Sequence, residues 1–335
     1  IAMMLGVAVG LKATGVLESL SGKVTFMAVP AEEYIEIEYR DNLRRNGEIE
    51  FLGGKPEFVR LGHFDDIDMA MMTHTSVPTN DSKITIGGTN VGMVGKSIQF
   101  SGVASHAGDS PHLGVNALNA AMVAMSAIHA QRETYRDKDS IRIHPIITKG
   151  GVAVSSVPAD VRMETYVRGG SIEAFLSASE KVDRALRAGA MTVGGSVTIQ
   201  TLPGYLPIQN NETFLDLYQN NAAELVGQEK ISRLPPHVMH GTGSTDMGDI
   251  SQLMPVIHPY VEAASGNGHG IDYVIDDYEL AVVTCAKAMA MTVVDLLADG
   301  ASNASRIISE NDSPLTISSY LSLLRSMTKE ETFKE

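Results

Sequence analysis

Val24-Thr25-Phe26-Met27-Ala28-Val29-Pro30-Ala31-Glu32-Glu33 is the stretch on which the reading of the chain turns. The apolar run from Val24 to Val29 predicts a strand buried on both faces, as in a parallel sheet. Two adjacent carboxylates follow at its carboxyl end, where open parallel sheets carry their chemistry. Side-by-side carboxylates repel each other, so the pair calls for a cation or a shared proton. A second run, Ile67 to Thr73, predicts another buried strand, and it ends on His74. His269 lies in the Gly-rich loop Ser265-Gly266-Asn267-Gly268-His269-Gly270. Glutamate and histidine delivered by separate sheet ends suit a hydrolytic zinc site. Taken alone, a Glu-Glu pair is most often a solvated loop feature, and most histidines bind no metal. The conjunction of position and residue type carries the inference.

A chain of 335 residues can bury more than one core, so two domains are expected. A net charge of -14 and a pI near 5.1 argue against a nucleic-acid or anionic-membrane partner, because a polyanion is repelled over most of the surface. Cys285 is the only cysteine, which excludes an internal disulfide and any CxxC-type metal site and fits a cytoplasmic location. No run of about 18 apolar residues is evident, so no membrane-spanning helix is expected. The chain opens on Ile1-Ala2-Met3-Met4-Leu5-Gly6-Val7, inside an apolar helical pattern with no basic region before it. The expectation is a longer chain whose start lies upstream; the alternative is a natural chain processed at this point.

Taken in order, residues 1–18 predict a helix ending near Gly15, with Met4, Val7, Ala8 and Leu11 on one face. Tyr34 to Gly54 is polar and charged and predicts a surface excursion. A short helix is expected over Lys55 to Gly62, and Lys83 to Ile86 suits a half-exposed strand. From residue 92 the texture changes to alternating strands and amphipathic helices. Strands are predicted at Ser97–Val103, Ile141–Thr148, Asp160–Arg168 and Ser196–Thr201, with helices at Val115–Gln131 and from Ser171 as N-cap. Strand, helix, strand, strand, helix, strand is the split ferredoxin-like order. The expected layout is therefore a first part over 1–91, an inserted domain over 92–205, a return over 206–298 and a tail over 299–335. Glu212–Val226 and Leu280–Leu297 predict helices of the first domain, and the polar tail is expected to be peripheral or partly mobile.

Several stretches together resemble the di-zinc aminoacylase and carboxypeptidase G family, in its aminobenzoyl-glutamate hydrolase and dipeptidase branch. They are Val29-Pro30-Ala31-Glu32-Glu33, Asp65 to His74, Gly102-Val103-Ala104-Ser105-His106-Ala107, Gly114 to Leu118, Ser244-Thr245-Asp246-Met247-Gly248-Asp249 and the helix Ala286–Val294. They occur in family order over roughly residues 1–298. The resemblance implies an α/β fold, with a mixed, mostly parallel sheet covered by helices on both faces and an inserted ferredoxin-like α+β lid that dimerises. It implies Glu32 as general base and Glu33, His74 and His269 as metal ligands. By the same resemblance His106 is the lid histidine that stabilises the oxyanion, across a dimer in many relatives, with a strand-end histidine as its plain alternative. Arg168 resembles a residue near the substrate carboxylate in some relatives, with surface pairing as its alternative. Asp246 and Asp249 take supporting roles, orienting a loop under His269. His237, His240 and His258 read as ordinary polar loop residues. The implied cofactor is a pair of Zn2+ ions, with Mn2+ as the alternative.

The sequence also departs from the family pattern. The family's Cys-Gly-His motif, which supplies the remaining ligands, belongs upstream of Ile1. The segment between Glu33 and His74 is longer than in most relatives, and Ser155-Ser156 stands where an Asn precedes Val157-Pro158. The expected activity is metal-dependent hydrolysis of an amide beside a free carboxylate, in an N-acyl amino acid, a dipeptide or aminobenzoyl-glutamate. The rival is a catalytically inactive, truncated homologue or a non-catalytic binding subunit. A serine hydrolase built on Ser244 lacks the nucleophile-elbow pattern. The expected partners are a small amide substrate and a second copy of the chain.

Overall fold

A computed structural model describes residues 1–334. In chain order the first elements are α1 (Ala2–Ala13), α2 (Ile37–Arg45), α3 (Gly54–Arg60), β1 (Ala70–Met71), β2 (His74–Ser76) and β3 (Ile84–Thr89). The lid elements follow: β4 (Gly92–Ser101), α4 (Ala117–Ala130), β5 (Arg142–Ile143), β6 (Ile146–Lys149), β7 (Asp160–Gly169), α5 (Ile172–Val193) and β8 (Ser196–Pro203). The chain then runs through α6 (Glu212–Val226), β9 (Ile231–Met239), α7 (Met247–Ser251), β10 (Val256–Ile257), β11 (Tyr260–Glu262), β12 (Ala264–Ser265) and β13 (Val274–Ile275). It ends with α8 (Cys285–Glu310), α9 (Ile317–Met327) and β14 (Lys329–Lys334).

The first domain is built on two parallel stretches. Residues 70–76 run alongside 255–262, with Ala70, Met72 and His74 donating their N–H groups to Pro255, Ile257 and Pro259. β11 then pairs antiparallel with β3, and β3 pairs parallel with β9. One face is covered by α1, α6 and α8, whose Val7, Leu11, Phe214, Leu215 and Met289 close over Ile84, Ile86 and Ile257. On the other side, α3 and α7 join a core with Val256, Leu206 and Ile208. Mixed α/β with helices on both faces is the observed class. β3 is buried rather than half-exposed, because it lies between β11 and β9 and under α6.

The lid sheet has the strand order β14-β8-β4-β7-β5, with β6 also on β7. Without β14 this is the split ferredoxin-like order that the alternation predicts. Ser171 caps α5 by accepting the Ala174 N–H at 3.2 Å, and the helix ends on Gly194 in the left-handed region. α4 and α5 cross closely because Gly189 has no Cβ to strike the Ala120 carbonyl and the Ala124 side chain.

Four expectations need correction. Residues 24–29 form no strand; no neighbour completes a ladder along them, and Phe26 is 43% exposed. The stretch 34–54 is no solvated excursion. It carries α2, and its Tyr34, Ile37 and Leu52 are buried against Met93, Leu202 and Tyr205 at the junction with the lid. The tail 299–335 is not peripheral: α9 enters the main core through Tyr320, Leu324 and Met327, and β14 pairs with β8 along its whole length. Finally, Glu279–Glu310 is long and apolar enough by composition to cross a membrane. Half of its apolar window is buried, however, and it is broken at Ala298–Ala301.

Candidate active site

Ala31 turns the chain into the carboxylate pair. Its φ of 57° lies in the left-handed region, which costs a residue with a Cβ about 1 kcal/mol or more. Two contacts hold it there. The Gly54 N–H donates to the Ala31 carbonyl at 3.2 Å, and Gly54 sits so close to Pro30 that a Cβ would collide with the Pro30 carbonyl oxygen. The turn leaves Glu32 half-buried, with Oε1 accepting from Thr245 Oγ1 at 2.9 Å. The Tyr205 hydroxyl donates to the Glu32 main-chain carbonyl. Burial raises the Glu32 pKa above the ordinary carboxylate value, and the Asp246 carboxylate adds to the rise. Thr245 and Lys55 pull the other way. Glu33 is exposed; its main-chain carbonyl is held by Arg40 Nη1 at 2.7 Å, and its carboxylate lies within electrostatic reach of Arg168.

The loop that presents Thr245 is anchored from below. Asp246 is wholly buried and accepts from the Lys55 N–H at 3.1 Å and from the Lys55 ammonium. Asp249, also wholly buried, accepts from Leu206 N at 3.3 Å and from the Tyr320 hydroxyl at 2.9 Å. Burial pushes the Asp249 pKa well up. These two aspartates support Glu32 through Thr245, and none of their hydrogen-bond partners is His269.

His74 is exposed on β2, directly opposite Tyr260 of β11. Around Tyr260 gather His240, stacked at 3.5 Å between centroids, and His258, edge-on at 4.7 Å; His74 lies 5.9 Å away. The Tyr260 hydroxyl accepts from Asn90 Nδ2 at 2.8 Å, and burial pushes its pKa up to about 12. Burial lowers the pKa of His240 and, much further, of His258, whose two ring nitrogens have no hydrogen-bond partner. His269 is exposed in its turn with φ 62°. His106 is exposed in the lid, where its Nδ1 accepts the N–H groups of Gly108 and Asp109 at 3.2 and 3.0 Å. The hydrogen-bond pattern thus assigns the proton to Nε2, which faces outward as a donor. Arg168 donates to the Thr242 carbonyl at 3.2 Å and lies 5.3 Å from the Tyr166 ring centroid.

The family model described as "Peptidase dimerisation domain" matches residues 89–191, which are the lid. The Xaa-Arg dipeptidase of Mus musculus is 30% identical over 303 residues, covering 87% of this chain and 64% of that protein. Residues 89–191 thus carry an M20-type dimerisation domain, and the chain as a whole is similar to M20 peptidases. It spans 64% of the length of that relative. An aminobenzoyl-glutamate utilization protein from Klebsiella pneumoniae superposes with a TM-score of 0.63 at 19% identity, covering 88% of this chain and 67% of its own. A dinuclear metal-binding M20 peptidase from Bacillus subtilis superposes with a TM-score of 0.57 at 18% identity, covering 88% and 70%.

Within this chain the expected site residues fall into separate groups. Glu32, Asp246 and Asp249 converge on one loop. Glu33, His74 and His269 do not converge: each is exposed, and among the described residues no group of three or more His, Cys, Asp or Glu is placed to hold a metal ion. The donors present therefore do not by themselves fit a two-ion centre. Sequence reasoning missed Lys55, Thr245, Tyr260, His240 and His258. Pro255 and Pro259 obscure the strand character of residues 255–262, and only their pairing with 70–76 puts His258 and Tyr260 beside His74.

Proposed function

We propose that this M20 chain forms the body of an amidohydrolase that cleaves an amide beside a free carboxylate, as in an N-acyl amino acid, a dipeptide or aminobenzoyl-glutamate. The observation that carries this reading is Glu32: a half-buried carboxylate with a raised pKa, fixed by Thr245 and backed by the Lys55–Asp246 ion pair. Raising the pKa of a carboxylate makes its deprotonated form a stronger base, which suits proton transfer. Glu32 takes a proton from the attacking water as the water oxygen adds to the amide carbonyl. It then returns that proton to the nitrogen as the C–N bond breaks, freeing the amine and a carboxylic acid. The same observation weighs against a non-catalytic subunit, which has no use for a carboxylate held in this state. Zinc, or manganese in its place, belongs to the reading through the family, and it requires donors beyond Glu33, His74 and His269 as they stand.

The partner is a second copy of the chain, docked on the lid. β6 lies on one edge of the lid sheet, and apolar side chains stand exposed on it and just after it: Ile146 on β6, and Val152 and Val154 in the following loop. His106 bridges to Ser156 beside that loop, so an outward Nε2–H would be offered to the partner's site for the oxyanion. The test is amine release by the full chain, supplied with zinc or manganese, from N-acetyl amino acids, dipeptides and aminobenzoyl-glutamate. Release from at least one class is expected; release from none contradicts the reading.

A further inference from the structure

β11 ends on Glu262, a carboxylate that the first domain buries without a counter-charge. The residue is only 8% exposed. Its Oε1 accepts from Ser82 Oγ at 2.6 Å and from Thr85 Oγ1 at 2.5 Å, while its Oε2 has no hydrogen-bond partner. His240 lies within electrostatic reach but makes neither a hydrogen bond nor an ion pair with Glu262, and among the described residues no Lys or Arg pairs with it. Asp41, Asp183 and Asp246, by contrast, each face an Arg or a Lys. Directly across the parallel ladder from Glu262 stands Ser76 of β2, whose Oγ is also buried and without a partner. A buried carboxylate left in this state destabilises the fold unless a cation or a proton joins it.

We propose that Glu262, Ser76, Ser82 and Thr85 bind a monovalent alkali cation, Na+ or K+, at the carboxyl ends of β2 and β11. Ser82 and Thr85 spend their hydroxyl protons on Oε1, which leaves their oxygen lone pairs free to face a cation. The donor set is then oxygen throughout, with no nitrogen or sulfur, which suits a hard ion. It carries a single negative charge, whereas Ca2+ sites gather several carboxylates and Mg2+ keeps most of its water. The placement gives the ion a task. β2 is a three-residue edge strand that pairs with β11 alone. His74 opposite Tyr260 and Ser76 opposite Glu262 are two residues apart, so both pairs share one face of the sheet. A cation held between Ser76 and Glu262 therefore fixes β2 against β11 where His74 is presented. The site contributes order and no step of a reaction, and it does not rest on the amidohydrolase reading.

The test is a series of thermal melts of the full chain at constant ionic strength, with choline exchanged stepwise for Na+ or for K+. EDTA is present throughout, so that divalent ions near His74 play no part. At least one of the two alkali ions is expected to raise the midpoint saturably, by about 2 degrees or more over choline. The ion with the larger effect at equal concentration is the one that fits. Glu262→Gln keeps the size of the side chain and an oxygen for Ser82 and Thr85 but removes the charge, and it is expected to abolish the rise. Ser76→Ala is expected to move saturation to at least about fivefold higher concentration, the loss of one oxygen contact. Equal midpoints in choline, Na+ and K+ would overturn the site, as would a rise that Glu262→Gln retains. If Glu262→Gln does not fold, Ser76→Ala decides: saturation at the parent's concentration overturns the site, and the shift upholds it.

Discussion

Glu32 and Glu33 are chemically identical neighbours, and their surroundings make them different. Glu32 is half-buried and bonded to Thr245, while Glu33 is exposed. Because burial raises the Glu32 pKa, its working, deprotonated form gains population as pH rises through that raised value, and kcat/KM is expected to climb with it. Thr245 lowers the Glu32 pKa by donating to the charged form. Thr245→Val should therefore move the acid limb of the pH–rate profile to higher pH and cost about 1 kcal/mol of stability. An unmoved limb would show that Glu32 is not the group being titrated. At this scale the sequence was partly legible. The doubled carboxylate and the Ser-Thr-Asp motif are visible in it, but Lys55 is not. Nothing in a Gly-Gly-Lys stretch says that its ammonium will be buried against an aspartate 191 residues away.

At the scale of elements, the local code and the tertiary code part company. α5 and α6 follow their caps and their apolar faces; α6 was readable at both ends and α5 at its start. Val24–Val29 has the composition of a buried strand, yet a strand exists only where a neighbour completes its ladder, and composition says nothing of neighbours. α2 shows the reverse error. Its charge suggested solvent, but Asp41 is buried and accepts from Arg44, Arg45 and Gln200, so charges that look solvated in sequence satisfy one another inside the junction with the lid. α3 is tied to the loop that presents Thr245 by the Lys55–Asp246 pair. Lys55→Met should cost about 3–5 kcal/mol by stranding a buried carboxylate, and Asp246→Leu in the same chain should recover much of that loss in denaturant midpoints. If the double variant is no more stable than Lys55→Met alone, the pair is not what joins α3 to the loop.

For the whole molecule, the C-terminal tail matters more than its polarity suggested. α9 sends the Tyr320 hydroxyl to Asp249 beneath the Thr245 loop, and β14 then crosses to the lid and covers the β8 edge over six residue pairs. Arg45 and Gln200 bring α2 into the same joint through Glu330 and Asp41. One continuous segment thereby fastens the first domain to the lid, and it makes β14 one edge of the lid sheet, with β5 and β6 at the other. Removing residues 328–335 should lower the thermal midpoint by a few degrees and expose the longer β8 edge in place of the charged β14, seen as concentration-dependent association beyond the dimer. An unchanged midpoint and size would mean that β14 is not a structural clasp. Sequence could not show this, because a strand whose partner lies 134 residues away, as Thr332 does from Thr198, carries no local mark of it.

The most direct measurement of the central claim is the turnover of Glu32→Gln on whichever amide the parent chain hydrolyses best, with thermal melts of both proteins in parallel. The raised pKa of Glu32 means that its contribution to stability is full below its unfolded value and is lost as pH rises through the folded one. The glutamine variant should therefore melt no lower than the parent at neutral pH, while turnover falls by at least about a hundredfold. A folded Glu32→Gln protein that keeps the parent's rate would contradict the assignment of Glu32 as the general base, and with it the account of the site built around that residue.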